Sequence, residues 1–137
     1  MNNSIKKEMD ILIADSDIET LKDVSSTLNK VQPDWRLSVL NSGKQCLDIL
    51  KNGNCPDAII LGMQLSDMSS FELIGQIRDD SDVLVIVISD DKEMRILEEA
   101  FEIGANDYIL KPINKNIFMA RLKALIRRRE ETSMGWG

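Results

Sequence analysis

The stretch Val83-Leu84-Val85-Ile86-Val87-Ile88-Ser89-Asp90 decides the fold. Its first six residues are apolar without a polar residue between them. A run that is continuously apolar, and not alternating, marks a strand buried on both faces, as in a parallel sheet covered by helices. It is the longest such run in the chain and far too short to span a membrane. The same kind of segment recurs as Ile11-Leu12-Ile13-Ala14, Leu37 to Leu40, Asp57-Ala58-Ile59-Ile60-Leu61 and Tyr108-Ile109-Leu110.

Amphipathic segments alternate with these runs. Residues 18 to 31 place Ile18, Leu21, Val24, Leu28 and Val31 at helical spacing. Ser42 caps a second helix with Cys46, Leu47, Ile49 and Leu50 on its inner side, ended by Gly53-Asn54. A third surrounds Phe71 to Arg78, and a fourth covers about Lys92 to Ile103 before Gly104. The last is capped by Asn114 and carries Ile117, Phe118, Leu122, Leu125 and Ile126. Five β-α pairs with right-handed crossovers predict an α/β doubly wound sheet. Residues 1–129 read as one domain, and 130–137 as a C-terminal tail or the start of a linker.

Composition narrows the function classes. The chain has 137 residues, 43% apolar and 29% charged, an ordinary globular balance. Its N-terminus, Met1-Asn2-Asn3-Ser4-Ile5-Lys6-Lys7, lacks the apolar stretch of a signal peptide, so a cytoplasmic protein that does not enter a membrane is expected. Cys46 and Cys55 are too few for a disulfide framework or a zinc site, and read as small, partly buried hydrophobes. The net charge of −6 is uneven: residues 111–129 hold seven bases and no acid, whereas residues 1–110 hold 21 acids and 10 bases. An acidic body argues against direct nucleic-acid binding. No histidine is present and neither cysteine follows a strand end, so hydrolase and transferase triads lack a base and no enzyme is expected. Ser42-Gly43-Lys44 lacks the flanking residues of a phosphate loop, and no GxGxxG occurs.

In a doubly wound sheet, ligands bind outside the carboxyl ends of the strands. The residues there are Asp15-Ser16-Asp17, Gly62-Met63-Gln64, Ser89-Asp90 and Lys111-Pro112. Carboxylates, a hydroxyl and an ammonium converging on one edge suit a phosphoryl group and a divalent cation.

Several segments carry a resemblance: Ile11 to Asp15, Pro56 to Leu61, Phe71-Glu72-Leu73, Val87-Ile88-Ser89 and, most diagnostic, Gly104-Ala105-Asn106-Asp107-Tyr108-Ile109-Leu110-Lys111-Pro112. Over residues 9 to about 129 the chain resembles the receiver domains of two-component response regulators. The resemblance implies a flavodoxin-like, three-layer (βα)5 fold with strand order 2-1-3-4-5. It implies that Lys111 pairs with an acyl phosphate, that Pro112 follows a cis peptide bond, that Ser89 is the hydroxyl moving toward the phosphate, and that Tyr108 changes rotamer with it. For Tyr108, plain packing in a strand is an equal alternative.

The departures from the family pattern cluster on one site. The family places its phosphorylated aspartate where this chain has Gly62, and Ser16 stands where a second acid usually follows Asp15. The loop after the third strand reads Ser66-Asp67-Met68-Ser69-Ser70, without the usual proline and Asp-Gly pair. Of the magnesium ligands that the resemblance implies, Asp15 and the Gln64 backbone carbonyl remain, so magnesium binding is expected to be weak or lost. Asp57 is no substitute: it opens the third strand, five residues and roughly 16 Å from the active edge. Asp17 is expected to cap the first helix, Asp67 lies too far out, and Asp90 and Asp91 are expected to cap the fourth helix. Without a phosphate, Lys111 is expected to pair with Asp15.

The basic stretch has two readings: cations complementing a helix dipole, or an interface. In the family, the face formed by the fourth helix, fifth strand and fifth helix is a common dimer and partner surface. A homodimer there would set Arg121 or Lys123 against Glu98, Glu99, Glu102 or Asp107 of a second copy. The expected function is an atypical receiver that acts by contact with other signalling proteins or an output domain. The alternatives are a sensor of a small ligand or anion in the remnant crevice, and an orthodox phosphoacceptor using another carboxylate.

Overall fold

The computed structural model describes residues 8–131. In chain order they form β1 (Asp10–Ala14), α1 (Ile18–Val31), β2 (Arg36–Leu40), α2 (Gly43–Lys51), β3 (Ala58–Gly62), α3 (Ser70–Asp80), β4 (Leu84–Ser89), α4 (Met94–Ile103), β5 (Asp107–Leu110) and α5 (Lys115–Glu131). The strands make one parallel sheet of order β2-β1-β3-β4-β5. This is the expected flavodoxin-like topology, and its order reverses between β1 and β3.

The period of two along each strand builds two cores. Ile11, Ile13, Ala58, Ile60, Leu84, Ile86 and Ile88 face Val24 and Leu28 of α1 and Phe118, Leu122 and Ile126 of α5. Leu12, Ala14, Ile59, Leu61, Val85 and Val87 face Cys46 of α2, Leu73, Ile74 and Ile77 of α3, and Ala100 of α4. The continuous run at 83–88 is thus apolar because each of its faces meets a different helical layer. Fully burying one such side chain contributes about 1.5–3 kcal/mol.

The caps show where local sequence governs local structure. Asp17, Ser42 and Ser69 precede α1, α2 and α3 and accept from the amides of Glu19, Gln45 and Glu72. Asn114 accepts from the Ile117 amide at the start of α5. The expected cap of α4 is corrected. Its N-cap is Glu93, with no side-chain cap bond, and the helix begins at Met94, after the expected Lys92. The chain first makes two tight turns, Asp91 N–H donating to Ser89 Oγ and Glu93 N–H donating to Asp91 Oδ1. Asp91 is spent on that approach, and Asp90 is exposed.

Three further expectations are adjusted. Ile18, Val31 and Ile117 fit the helical period but are exposed, because they lie at helix ends beyond the cover of the sheet. Cys46 is buried, which pushes its thiol to about 12, whereas Cys55 is exposed. Helix α5 continues through Glu131, so residues 130 and 131 are helical; residues 1–7 and 132–137, including the leading segment and most of the tail, lie outside the described residues.

Candidate functional site

The register of β1 on β3 pairs Ala14 with Leu61, which brings Asp15 beside Gly62 where the strand order reverses. Asp15 is only 4% exposed. Its carboxyl group lies directly over Gly62: a Cβ added to Gly62 would overlap the Asp15 carboxyl carbon and both its oxygens. Oδ1 accepts from the Asp17 amide at 3.1 Å. Oδ2 has no hydrogen-bond partner among the described residues. A buried acceptor left unmatched costs about 1–3 kcal/mol. Burial drives the Asp15 carboxyl above its ordinary value, against the Asp17 amide and the charge of Lys111.

Lys111 is placed at the rim of this crevice, but its ion pair is with Asp17, Nζ to Oδ2 3.6 Å, and not with Asp15 as the sequence suggested. The reason is the direction of Asp15, whose carboxyl is turned inward over Gly62 while Asp17 stands at the solvent edge. Asp17 is also the expected cap, its Oδ1 taking the Glu19 amide and its Oδ2 the Thr20 hydroxyl. The Thr20 hydroxyl, with the Glu19 amide and the Lys111 charge, holds Asp17 below the usual carboxylate range.

The remaining crevice residues are committed to backbone. Ser16 is exposed, and its amide donates to the Gln64 carbonyl at 3.0 Å. The Gln64 side chain donates to the Leu65 and Met68 carbonyls, holding the loop closed on itself. Ser89 and Tyr108 are both buried. Ser89 Oγ accepts the Asp91 amide, and the Tyr108 hydroxyl donates to the Asp91 carbonyl at 2.8 Å. The two residues thus hold one turn from two sides. The Lys111–Pro112 peptide bond is cis, as the resemblance implied, and the Lys111 amide donates to the Ser89 carbonyl.

The other carboxylates near this edge have separate tasks. Asp67 reaches across to α2, accepting from the Gly43 amide at 2.7 Å and the Lys44 amide at 3.0 Å. Those two amides hold its carboxyl below the ordinary value. The sequence reading placed Asp67 too far out and missed this tether; the signal available was the open helix start at Ser42-Gly43-Lys44, where amides seek an anion. Asp57 lies at the opposite end of the sheet and accepts from the Asp10 amide.

These residues do not fit the magnesium site that the resemblance implied. Asp15 offers one carboxylate, turned toward Gly62, and Ser16 offers no charge. Divalent magnesium needs oxygen ligands converging in near-octahedral geometry. Among the described residues no group of three or more His, Cys, Asp or Glu side chains comes together to hold a metal.

At the expected interface, Arg121 pairs within its own chain with Asp107, Nη1 to Oδ1 3.6 Å. Both sit on adjacent elements, α5 and β5, and the same Asp107 oxygen accepts the Tyr108 amide. Glu98 and Glu102 are exposed on α4, and Lys123 is half-buried on α5. Phe101 of α4 and Leu110 of β5, whose exposure the sequence did not reveal, are 43% and 40% exposed.

Residues 11–123 match the family model of the response regulator receiver domain. The chain belongs to the response regulator receiver family. This receiver is 34% identical over 117 residues to the heme response regulator HssR of Staphylococcus epidermidis, an alignment covering 85% of this chain and 51% of that protein. It is 38% identical over 73 residues to the transcriptional regulatory protein KdpE of Mycobacterium tuberculosis, covering 53% of this chain and 32% of that one. The chain spans about half the length of the curated relatives it matches over most of its own length. Among solved structures it is similar to the BeF3-activated receiver domain of DrrB, with a TM-score of 0.73, 28% identity and coverage of 85% and 96%. A two-component response regulator from Clostridium difficile gives a TM-score of 0.80 at 25% identity, covering 88% of this chain and 98% of that one. No helix among the described residues is long and apolar enough to cross a membrane.

Proposed function

We propose that this receiver does not accept a phosphoryl group at its usual position and signals by protein contact. The observation that carries the reading is the pair Asp15 and Gly62. Glycine supplies no carboxylate oxygen, so no acyl phosphate forms at position 62, and the neighbouring acid fills the space above it. Among the other acids toward this edge, Asp17 and Asp67 each already accept two protein donors. That commitment counts against either as a replacement phosphoacceptor.

The contact surface we favour is the α4-β5-α5 face. Its elements carry the exposed apolar side chains Phe101 and Leu110, with Glu98 and Glu102 exposed on α4 and Lys123 half-buried on α5. That composition suits a second copy of the chain or another signalling protein. Because related regulators extend well beyond the matched segment, an output domain is the natural further partner. A second reading, a sensor of small anions, draws on one observation: Lys111 keeps its place at the crevice, in a 3.6 Å pair with Asp17.

The test is molar mass by light scattering across a concentration series, before and after treatment with acetyl phosphate and magnesium. Contact independent of phosphorylation gives the same association curve in both. A shift of that curve on treatment refutes the reading.

A further inference from the structure

We infer that Asp15 is a built-in occupant of the crevice: its carboxyl group fills the place left by the missing side chain at Gly62 and keeps external anions from reaching Lys111. The inference deepens the proposed reading and rests on it, because it assigns a role to the space that the lost acid leaves.

Three independent features of Asp15 point the same way. First, the residue is buried, although it is a carboxylic acid that follows a strand end facing solvent. An acid enters such a position only where something holds it or where space is otherwise left empty. Second, its Oδ2 has no hydrogen-bond partner among the described residues, so the single Asp17 amide at Oδ1 leaves half of the buried carboxyl unmatched. Third, the volume it enters is the one that a Cβ at position 62 would claim. Close packing leaves room for only one of them. Any residue larger than glycine at 62 requires Asp15 to turn outward, and with glycine there Asp15 fills the gap.

The consequence concerns Lys111. Two carboxyl groups stand near its ammonium: Asp17, within ion-pair distance, and Asp15, whose charge also acts on it. A tetrahedral anion approaching Lys111 meets Asp15 in the volume it needs and Asp17 on the cation it needs. The crevice therefore holds its own anionic group, and inorganic phosphate is excluded by occupancy and by charge repulsion.

A thermal double-mutant cycle in the full chain tests the contact. Gly62→Ala is expected to lower Tm by several degrees in the natural background and to have little effect beside Asp15→Ala, where the space is free. Where Gly62→Ala alone fails to fold, folding of the double variant gives the same answer. The second measurement uses Asp15→Ala alone, with inorganic phosphate as the probe against chloride at matched ionic strength. The variant is expected to gain a phosphate-dependent rise in Tm that the natural chain lacks. Additive effects of the two substitutions, or an equal phosphate response with and without Asp15, overturn the inference. A phosphoryl group on the natural chain would instead refute the proposed function and leave the cycle to be judged by its own result.

Discussion

Lys111 and Asp17 form the ion pair that closes the open side of the crevice, and Asp17 is at the same time the residue that caps α1. One carboxylate thus joins the end of β5 to the start of the first helix. The two contributions differ in weight. Capping satisfies backbone donors that have no other partner, whereas a partly exposed ion pair adds little. Asp17→Ala is therefore expected to lower Tm by a few degrees, and Lys111→Met to leave it nearly unchanged. Equal losses in thermal denaturation would mean that the pair, and not the cap, is the main contribution.

The guanidinium of Arg78 is a stronger fastener. It donates to the Gly104 carbonyl through Nε and Nη2, to the Ser81 and Val83 carbonyls through Nη1, and to Asn106 Oδ1. Asn106 in turn bonds the Val85 backbone in both directions. Gly104 has φ +123°, and a Cβ there would run into the Arg78 side chain, so glycine is required both by the turn and by this approach. Removing the guanidinium leaves several carbonyls without a partner, and Arg78→Ala should cost about 3 kcal/mol in urea denaturation. A loss below about 0.5 kcal/mol would show that water replaces it without penalty.

Asp67 gives a pH dependence of known sign. The Gly43 and Lys44 amides hold its carboxyl below the ordinary value of 3.8. A depressed carboxylate adds stability that is complete above its unfolded value and is lost as pH falls through its folded value. The stability difference between the natural chain and Asp67→Asn should then be constant from neutral pH to about 5 and narrow below about 4. A difference that widens in acid would contradict the tether.

For the α4-β5-α5 face, the in-chain pairing of Arg121 with Asp107 separates charge from apolar contact. Phe101→Ser and Leu110→Ser should each weaken self-association measured by light scattering. Arg121→Ala should leave it within error. The reverse ranking would make the basic residues, and not the exposed apolar ones, the contact.

Strand runs, helix starts and the parallel sheet were legible in the sequence because they follow from local period and local caps, as Ser42 and Asn114 illustrate. Sheet order followed from the resemblance carried by residues 104–112. What escaped the sequence was the direction of side chains between distant segments. Nothing in Asp15-Ser16-Asp17 says that Asp15 turns inward, because the cause lies 47 residues away at Gly62. Asp67 bonding to α2 and Arg78 bonding to the Gly104 turn are likewise contacts between elements, invisible to periodicity. The α4 cap was misplaced because the Asp91 carboxylate takes the Glu93 amide in the turn just before the helix and not an amide of the helix itself.

The most direct test of the central claim is intact-mass spectrometry of the natural chain after incubation with acetyl phosphate and magnesium, with Gly62→Asp treated in parallel. The account predicts no phosphoryl adduct on the natural chain, whatever the variant does. An adduct on the variant alone would mean that restoring the acid displaces Asp15 and reopens the site. A phosphoryl group on the natural chain would contradict the account.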